Sequence, residues 1–241
     1  KIARGPKGFL PVGAATGHAA REMVGGDRVE ASDRRPIAAR DFGVTQRMAA
    51  ALVARGASPN GISVAGMVAG LAAGLAFAAV AWMPGAAWLF WVLGALLVQA
   101  RLMANLLDGM VAIGRGVASP VGELFNEVPD RVSDTAVLVG LGVAAGAVWL
   151  GLAAALAAMA TAYVRTTARA AGAPSAFGGP MAKQHRMAVV TAMALWCAVI
   201  PPSWRGDAWT PWVVLVVITL GALLTAWLRL SRAAAALRAK A

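Results

Sequence analysis

Apolar residues along this chain come in long unbroken blocks rather than short stripes, a pattern that predicts membrane-crossing helices. A span needs roughly 20 mostly apolar residues. Six blocks of about that length fall at 61–83, 86–107, 124–147, 150–170, 187–203 and 208–229. Upstream the pattern changes. Phe42, Val44, Met48, Ala49, Leu52 and Val53 recur near helical spacing, with Arg47 and Arg55 on the other side, which predicts an amphipathic helix lying on a membrane surface. Gly56 is expected to end it, and Ser58-Pro59-Asn60 to turn the chain into the first block. Residues 1–40 carry Gly, Arg and Pro without sustained periodicity and lack the continuous apolar core of a cleavable signal peptide. The expected fold class is therefore an all-α integral membrane protein, without solenoid repeats. Its parts are a cytoplasmic basic extension (1–40), a juxtamembrane amphipathic helix (41–57), a six-helix membrane domain (58–230) and a basic cytoplasmic tail (231–241).

Composition supports this reading. Of 241 residues, 59% are hydrophobic and 14% charged, whereas a soluble domain has about a quarter of its residues charged. The net charge of +11 would by itself suggest nucleic acid. Its distribution argues against that partner. Ten Lys and Arg residues, from Lys1 to Arg55, precede the first block. Arg165, Arg169, Lys183 and Arg186 flank the link between blocks four and five, and Arg229, Arg232, Arg238 and Lys240 follow block six. The alternate links carry only Arg205. Positive charge on every second link places both termini in the cytoplasm, at an anionic lipid surface. A cytoplasmic (inner) membrane, multi-pass location follows. Trp82, Trp88, Trp149, Trp204, Trp209 and Trp212 lie near the opposite ends and read as an aromatic belt.

Polar side chains inside such blocks are costly and usually face a bundle interior or a wet cavity. Asn105 and Asp108 are three apart and share a helix face, with Gly109 next to them leaving space for a ligand. After Ser119-Pro120, Gly122, Asn126 and Asp130 recur at four-residue spacing, with Glu123, Glu127 and Asp134 on the same broad arc. Two oxygen-rich faces joined by a short inner loop suit a hard divalent cation, magnesium or manganese, which would in turn hold a diphosphate. Arg101, one turn outward from Asn105, is expected to pair with the acidic cluster or a substrate phosphate. Gln99 is expected to hydrogen-bond between helices. Gly66-x3-Gly70-x3-Gly74 permits close helix approach, either within the chain or across a dimer. Cys197 is the single cysteine, so no internal disulfide forms, and His18 and His185 are too far apart in sequence to suggest a histidine metal site. The acids sit at inner ends rather than at the bilayer midplane, which argues against transport.

These residues resemble the CDP-alcohol phosphotransferases (CDP-alcohol phosphatidyltransferases), whose pattern is D-x2-D-G-x2-A-R-x8-G-x3-D-x3-D. Asn105, Asp108, Gly109, Ala112, Gly122, Asn126 and Asp130 keep its full frame without insertion. Asn stands for the first and third aspartates, and the arginine position holds Ile113, with Arg115 two residues on. Pro59-Asn60, Tyr163-Val-Arg165 and Lys183-x2-Arg186 extend the resemblance over about residues 42–229. It implies six spans behind a surface helix, a homodimer, and a divalent-metal-dependent enzyme. That enzyme would transfer a substituted phosphate from a CDP-linked lipid to an acceptor alcohol and release CMP. Carried over residue by residue, Asn105, Asp108, Asn126 and Asp130 are the metal positions and Asp130 is the base that deprotonates the acceptor. Gly109, Ala112, Gly122 and Arg115 would border the cytidine nucleotide. Lys183 and Arg186 would bind a phosphate on the acceptor, with topology charges an equally good reading of that pair. Glu123, Glu127 or Asp134 would supply charge that the asparagines lack. A second reading, an inactive relative acting as a lipid-binding or assembly partner, rests on Asn105, Asn126 and Ile113. The acceptor is left open among glycerol phosphate, inositol phosphate, serine and another lipid alcohol.

Overall fold

The computed structural model describes residues 42–117, 120–174, 177–200 and 209–240. The expected extension over 1–40 lies outside the described residues, with His18, Trp204, Arg205 and the side chain of Glu123.

All regular secondary structure among the described residues is helical. The elements are α1 (Gly43–Ala54), α2 (Pro59–Trp82), α3 (Ala87–Gly114), α4 (Pro120–Ala144), α5 (Val148–Ala170), α6 (Lys183–Val199) and α7 (Trp209–Arg238). Local sequence explains the joints. Gly56 adopts φ +67°, where its amide bonds back to Val53, and Ala57 bonds to Leu52. The Ser58 hydroxyl accepts from the Gly61 amide at 3.4 Å and Pro59 takes the first helical position, so α2 starts where the sequence suggests. Two helices run past their expected ends. The third helix continues from 107 to Gly114, carrying Asn105, Asp108 and Gly109 on regular helix instead of on its fringe. The seventh continues to Arg238, so most of the expected tail is helical.

Four of these helices are long and apolar enough to cross a membrane: α2, α3 together with the short 3-10 turn Pro84–Ala86 before it, α5 and α7. The other two expected spans fall short for physical reasons. Helix α4 carries Glu123, Glu127, Asp130, Arg131 and Asp134, which lowers its hydropathy, and α6 has only 17 residues. At 1.5 Å per residue, α6 is about 25 Å long, against a hydrocarbon core of about 30 Å.

The helices alternate in direction and close into a ring, in the spatial order α2, α4, α5, α7, α6, α3. Ala73, Phe77, Val98, Leu138, Leu141, Ala154, Met187, Val190, Leu215 and Ile218 fill its centre. Leu75, Leu96, Leu156, Leu220 and Trp227 face outward, as in a protein whose solvent is lipid. Trp82, Trp88, Trp149 and Trp209 are 60–71% exposed and cluster at the ring end opposite Asp108.

The glycine run of α2 is used within the chain. A Cβ at Gly66 would stand 2.9 Å from the Ala104 Cβ of α3, and one at Gly70 only 2.5 Å from the Ser133 Cβ of α4. Gly74 lies against the Ala136 carbonyl and Gly140. This close approach draws the N-terminal half of α2 onto both helices that carry the polar residues. Helix α1 packs Thr45 and Ala49 inward, mainly on α3, and leaves Phe42, Val44 and Met48 exposed.

Candidate active site

At the end of the ring opposite the tryptophans, the C-terminal part of α3 meets the starts of α2, α4 and α6. Alternating direction brings these termini together, which no single segment of sequence reveals. A small cavity of about 10 Å³ is lined by Ser63, Arg101, Asn105, Asp108, Asn126 and Asp130, among others. That volume is on the scale of one water molecule.

The four motif positions converge there. The Asn105 amide donates to the Asn126 side-chain oxygen at 2.6 Å and to Asp130 Oδ1 at 3.1 Å. The same Asp130 oxygen accepts from Arg101 Nη2 at 3.1 Å. Asp108 is 3% exposed and accepts at 2.6 Å from the Ser63 hydroxyl of α2. Lys183, the first residue of α6, donates its ammonium to Asn105 Oδ1 at 3.0 Å and to Asp130 Oδ2. Pro129 stands inside α4 one residue before Asp130. Having no N–H, it leaves the Phe125 carbonyl without its helical donor.

Behind this cluster lies a buried ionic brace. Arg101 Nη2 is 2.6 Å from Asp134 Oδ1, and Arg186 Nη2 donates to Asp134 Oδ2 at 2.6 Å. Arg101 is 1% exposed, Arg186 0% and Asp134 3%. Burying such charges is costly unless they are paired, and here each has a partner on another helix. The expected pairing of Arg101 with the acidic cluster is thus present. Gln99 donates to the Thr191 hydroxyl at 2.8 Å, the interhelical hydrogen bond anticipated for it.

Other expected site residues fall in different surroundings. Asp134 is held by two arginines in the brace, and Glu127 pairs with Arg165 and, at 3.2 Å, with Arg131. Neither carboxylate is free to make up for Asn105 and Asn126. Arg186 points into the core, where it also donates to the Met181 carbonyl at 3.3 Å. Arg115 caps the end of α3 and donates to the Gly56 and Ala57 carbonyls at 3.2 and 2.8 Å, tying α3 to the α1–α2 turn. Gly109 borders open space, with nothing within 4 Å of where a Cβ would stand. Ala112 and Gly122 are half-buried. His185 is exposed beside the Pro180 carbonyl.

Several contributors escape sequence reading. Ser63 looks like an ordinary small residue of an apolar helix until α3 supplies its partner. Arg229 donates to the carbonyls of Gly178, Thr161 and Phe177, and the Thr225 hydroxyl accepts from the Met181 amide at 2.9 Å. These contacts pin the segment before α6 onto α7 and so set where Lys183 arrives. The Arg165 guanidinium lies 5.3 Å from the centre of the Phe177 ring.

Among the described residues no group of three or more His, Cys, Asp or Glu is gathered to hold a metal. The donors at the motif positions are two carboxylates and two amide oxygens. Their chemistry suits magnesium or manganese, with two fewer negative charges than four aspartates would bring.

No family model matches the chain. It is 30% identical over 168 residues to the phosphatidylinositol phosphate synthase of Mycobacteroides abscessus, spanning 67% of this chain and 72% of that protein. Crystal structures of the Mycobacterium tuberculosis phosphatidylinositol phosphate synthase share the fold. The form with CDP-DAG bound aligns with a TM-score of 0.64 and 21% identity, over 80% of this chain and 94% of that one. The complex with manganese and citrate aligns with a TM-score of 0.64 and 22% identity, over 78% and 88%. The relative's identity and coverage, joined to the motif frame kept from Asn105 to Asp130, show that this chain belongs to the CDP-alcohol phosphatidyltransferase family.

Proposed function

We propose that the protein is a multi-pass enzyme of phospholipid synthesis that transfers a phosphatidyl group from CDP-diacylglycerol, or a similar CDP-linked lipid, to an acceptor hydroxyl and releases CMP. The observation that carries this reading is the convergence of Asn105, Asp108, Asn126, Asp130 and Lys183 from three helices on one end of the bundle. We read all six long helices as spans, the charged α4 and the short α6 crossing against their neighbours in the ring more than against lipid; α1 lies on the inner surface, both termini are cytoplasmic and the site opens at the inner leaflet. The protein works as a homodimer and binds no nucleic acid.

In the reaction the acceptor oxygen attacks the β-phosphorus, the bond to the CMP oxygen breaks, and CMP leaves with the electron pair. Asp130, which lines the cavity, takes the acceptor proton. Lys183 and Arg101 hold its carboxylate oxygens in position. Gly109 leaves room beside the nucleotide, bordered by Ala112, Gly122 and Arg115. Asp108, Asp130 and the asparagine oxygens would hold a magnesium or manganese ion, which would neutralise charge on the diphosphate. A phosphorylated acceptor is favoured, because the mycobacterial relative is named for a phosphatidylinositol phosphate product and Lys183 supplies a basic group bonded to Asp130. Arg186 serves as a brace behind Asp134 instead of touching the acceptor.

A second reading, an inactive relative retained for lipid binding or assembly, is favoured by one observation: Asn105 and Asn126 are bonded to each other and Asp130 is enclosed by Arg101, Asn105 and Lys183. CMP release from CDP-diacylglycerol separates the two. The purified protein is assayed with magnesium or manganese and a panel of acceptors, beside Asp130→Asn. Metal-dependent release lost in the variant supports the enzyme; no release with any acceptor leaves the inactive relative.

A further inference from the structure

Three lines of the structure bear on how many metal ions this site takes. Lys183 is 12% exposed at its side chain and bonds the side-chain oxygens of the first and fourth motif positions, Asn105 Oδ1 and Asp130 Oδ2. Its ammonium therefore stands among the donors that would otherwise face a cation. The charges give a second line. Arg186, Asp134, Arg101, Asp130 and Lys183 form an alternating ladder through α6, α4 and α3, and Asp108 stands beside it. Three cations thus face three carboxylates before any metal binds, and Arg131, itself paired with Glu127, stands 3.7 Å from Asp130 Oδ2 as a further cation. Two divalent ions would add four positive charges to a largely buried cluster whose carboxylates are already matched by cations, and uncompensated charge there is strongly opposed. One divalent ion is balanced by the two ionised oxygens of a diphosphate diester. The third line is space. Asp108 has no ion-pair partner among the described residues, and the cavity it shares with Asn126 and Ser63, about 10 Å³, suits one small cation or water.

We propose that the Lys183 ammonium occupies the Asn105 and Asp130 side of the site as a fixed cation, so that the site binds a single magnesium or manganese ion, on the Asp108 and Asn126 side. The inference rests on the transferase reading above for its ligand but not for its readout. Asn at positions 105 and 126 and Lys at 183 then form one co-adapted set: an amide oxygen accepts from an ammonium without the charge that would draw in a second metal ion. A diphosphate entering the site meets one fixed organic cation and one exchangeable metal ion.

The test is a manganese titration of the purified full-length chain in detergent, followed by the electron paramagnetic resonance signal of free Mn2+, with CDP as the nucleotide probe. The expected result is one Mn2+ per wild-type chain and one per Lys183→Arg chain. The triple variant Lys183→Gln, Asn105→Asp, Asn126→Asp is expected to bind two, the first about 10- to 100-fold more tightly than wild type does. Two ions or none on the wild-type chain overturns the proposal, and so does a folded triple variant that still binds one. If the triple variant fails to fold, the wild-type and Lys183→Arg stoichiometries decide. CMP release plays no part in this measurement. A catalytically silent protein that binds one ion leaves this inference standing and removes the transferase reading, whereas an active two-ion protein does the reverse.

Discussion

Arg186 offers the sharpest test of how the site is built, because its sequence context suggests a phosphate binder and its position makes it a brace. It is fully buried, and its guanidinium donates at 2.6 Å to Asp134, which is itself 3% exposed. Removing one partner of a buried pair costs about 3–5 kcal/mol, because a charge is left uncompensated. Asp134 keeps Arg101 at 2.6 Å, so Arg186→Met belongs at the low end, about 3 kcal/mol. Removing both charges is different. In Arg186→Met, Asp134→Leu the apolar side chains fill the space, and Arg101 retains Asp130 Oδ1 at 3.1 Å and the Asp130 carbonyl at 3.2 Å. Replacing a whole pair with apolar groups is often near neutral, so the double variant should recover about 2 kcal/mol of the loss. The assay is reversible unfolding in mixed micelles, read by tryptophan fluorescence, with the four proteins of a double-mutant cycle. A single-variant cost below about 0.5 kcal/mol, or a double-variant cost equal to the sum of the singles, would refute the brace. A raised KM for the acceptor with unchanged stability would return Arg186 to the substrate.

Other perturbations separate packing from chemistry. Gly70→Ala puts a Cβ 2.5 Å from that of Ser133 and should cost about 1–3 kcal/mol in the same unfolding assay, whereas Gly109→Ala meets nothing within 4 Å, should leave stability unchanged and raise KM for the CDP-lipid. Asp130→Asn should lower kcat about 100-fold or more, the size expected for loss of a general base. Chelation of divalent ions should abolish CMP release, and adding back magnesium or manganese should restore it. Arg229→Met removes the donor to the loop carbonyls of Phe177 and Gly178 and to Thr161 of α5, and should speed limited proteolysis of the 172–182 segment about tenfold or more.

The chain's own pattern determined much of this protein. Long apolar blocks dictate helices wherever backbone groups have no water to bond, and all the expected helices among the described residues are present. Ser58-Pro59 and Gly56 mark a joint because cap and turn chemistry acts over a few residues. The Asn105 to Asp130 frame was legible for the same reason: within one helix, three- and four-residue spacing sets which side chains share a face. Even Arg101 and Gln99 could be assigned a kind of partner, since a buried charge or amide must find one. Which partner they found was beyond the sequence. Lys183 reaches Asn105 and Asp130 across 78 and 53 residues, and Ser63 reaches Asp108 across 45. Asp130 and Asp134 lie one helical turn apart and look equivalent in sequence. Yet Asp134 sinks between Arg101 and Arg186 while Asp130 stays at the cavity, because the glycines of α2 pull α4 inward at Ser133 and Ala136. Local pattern determines helices and faces; only the ring closure, set by how closely those faces pack, decides which charges meet.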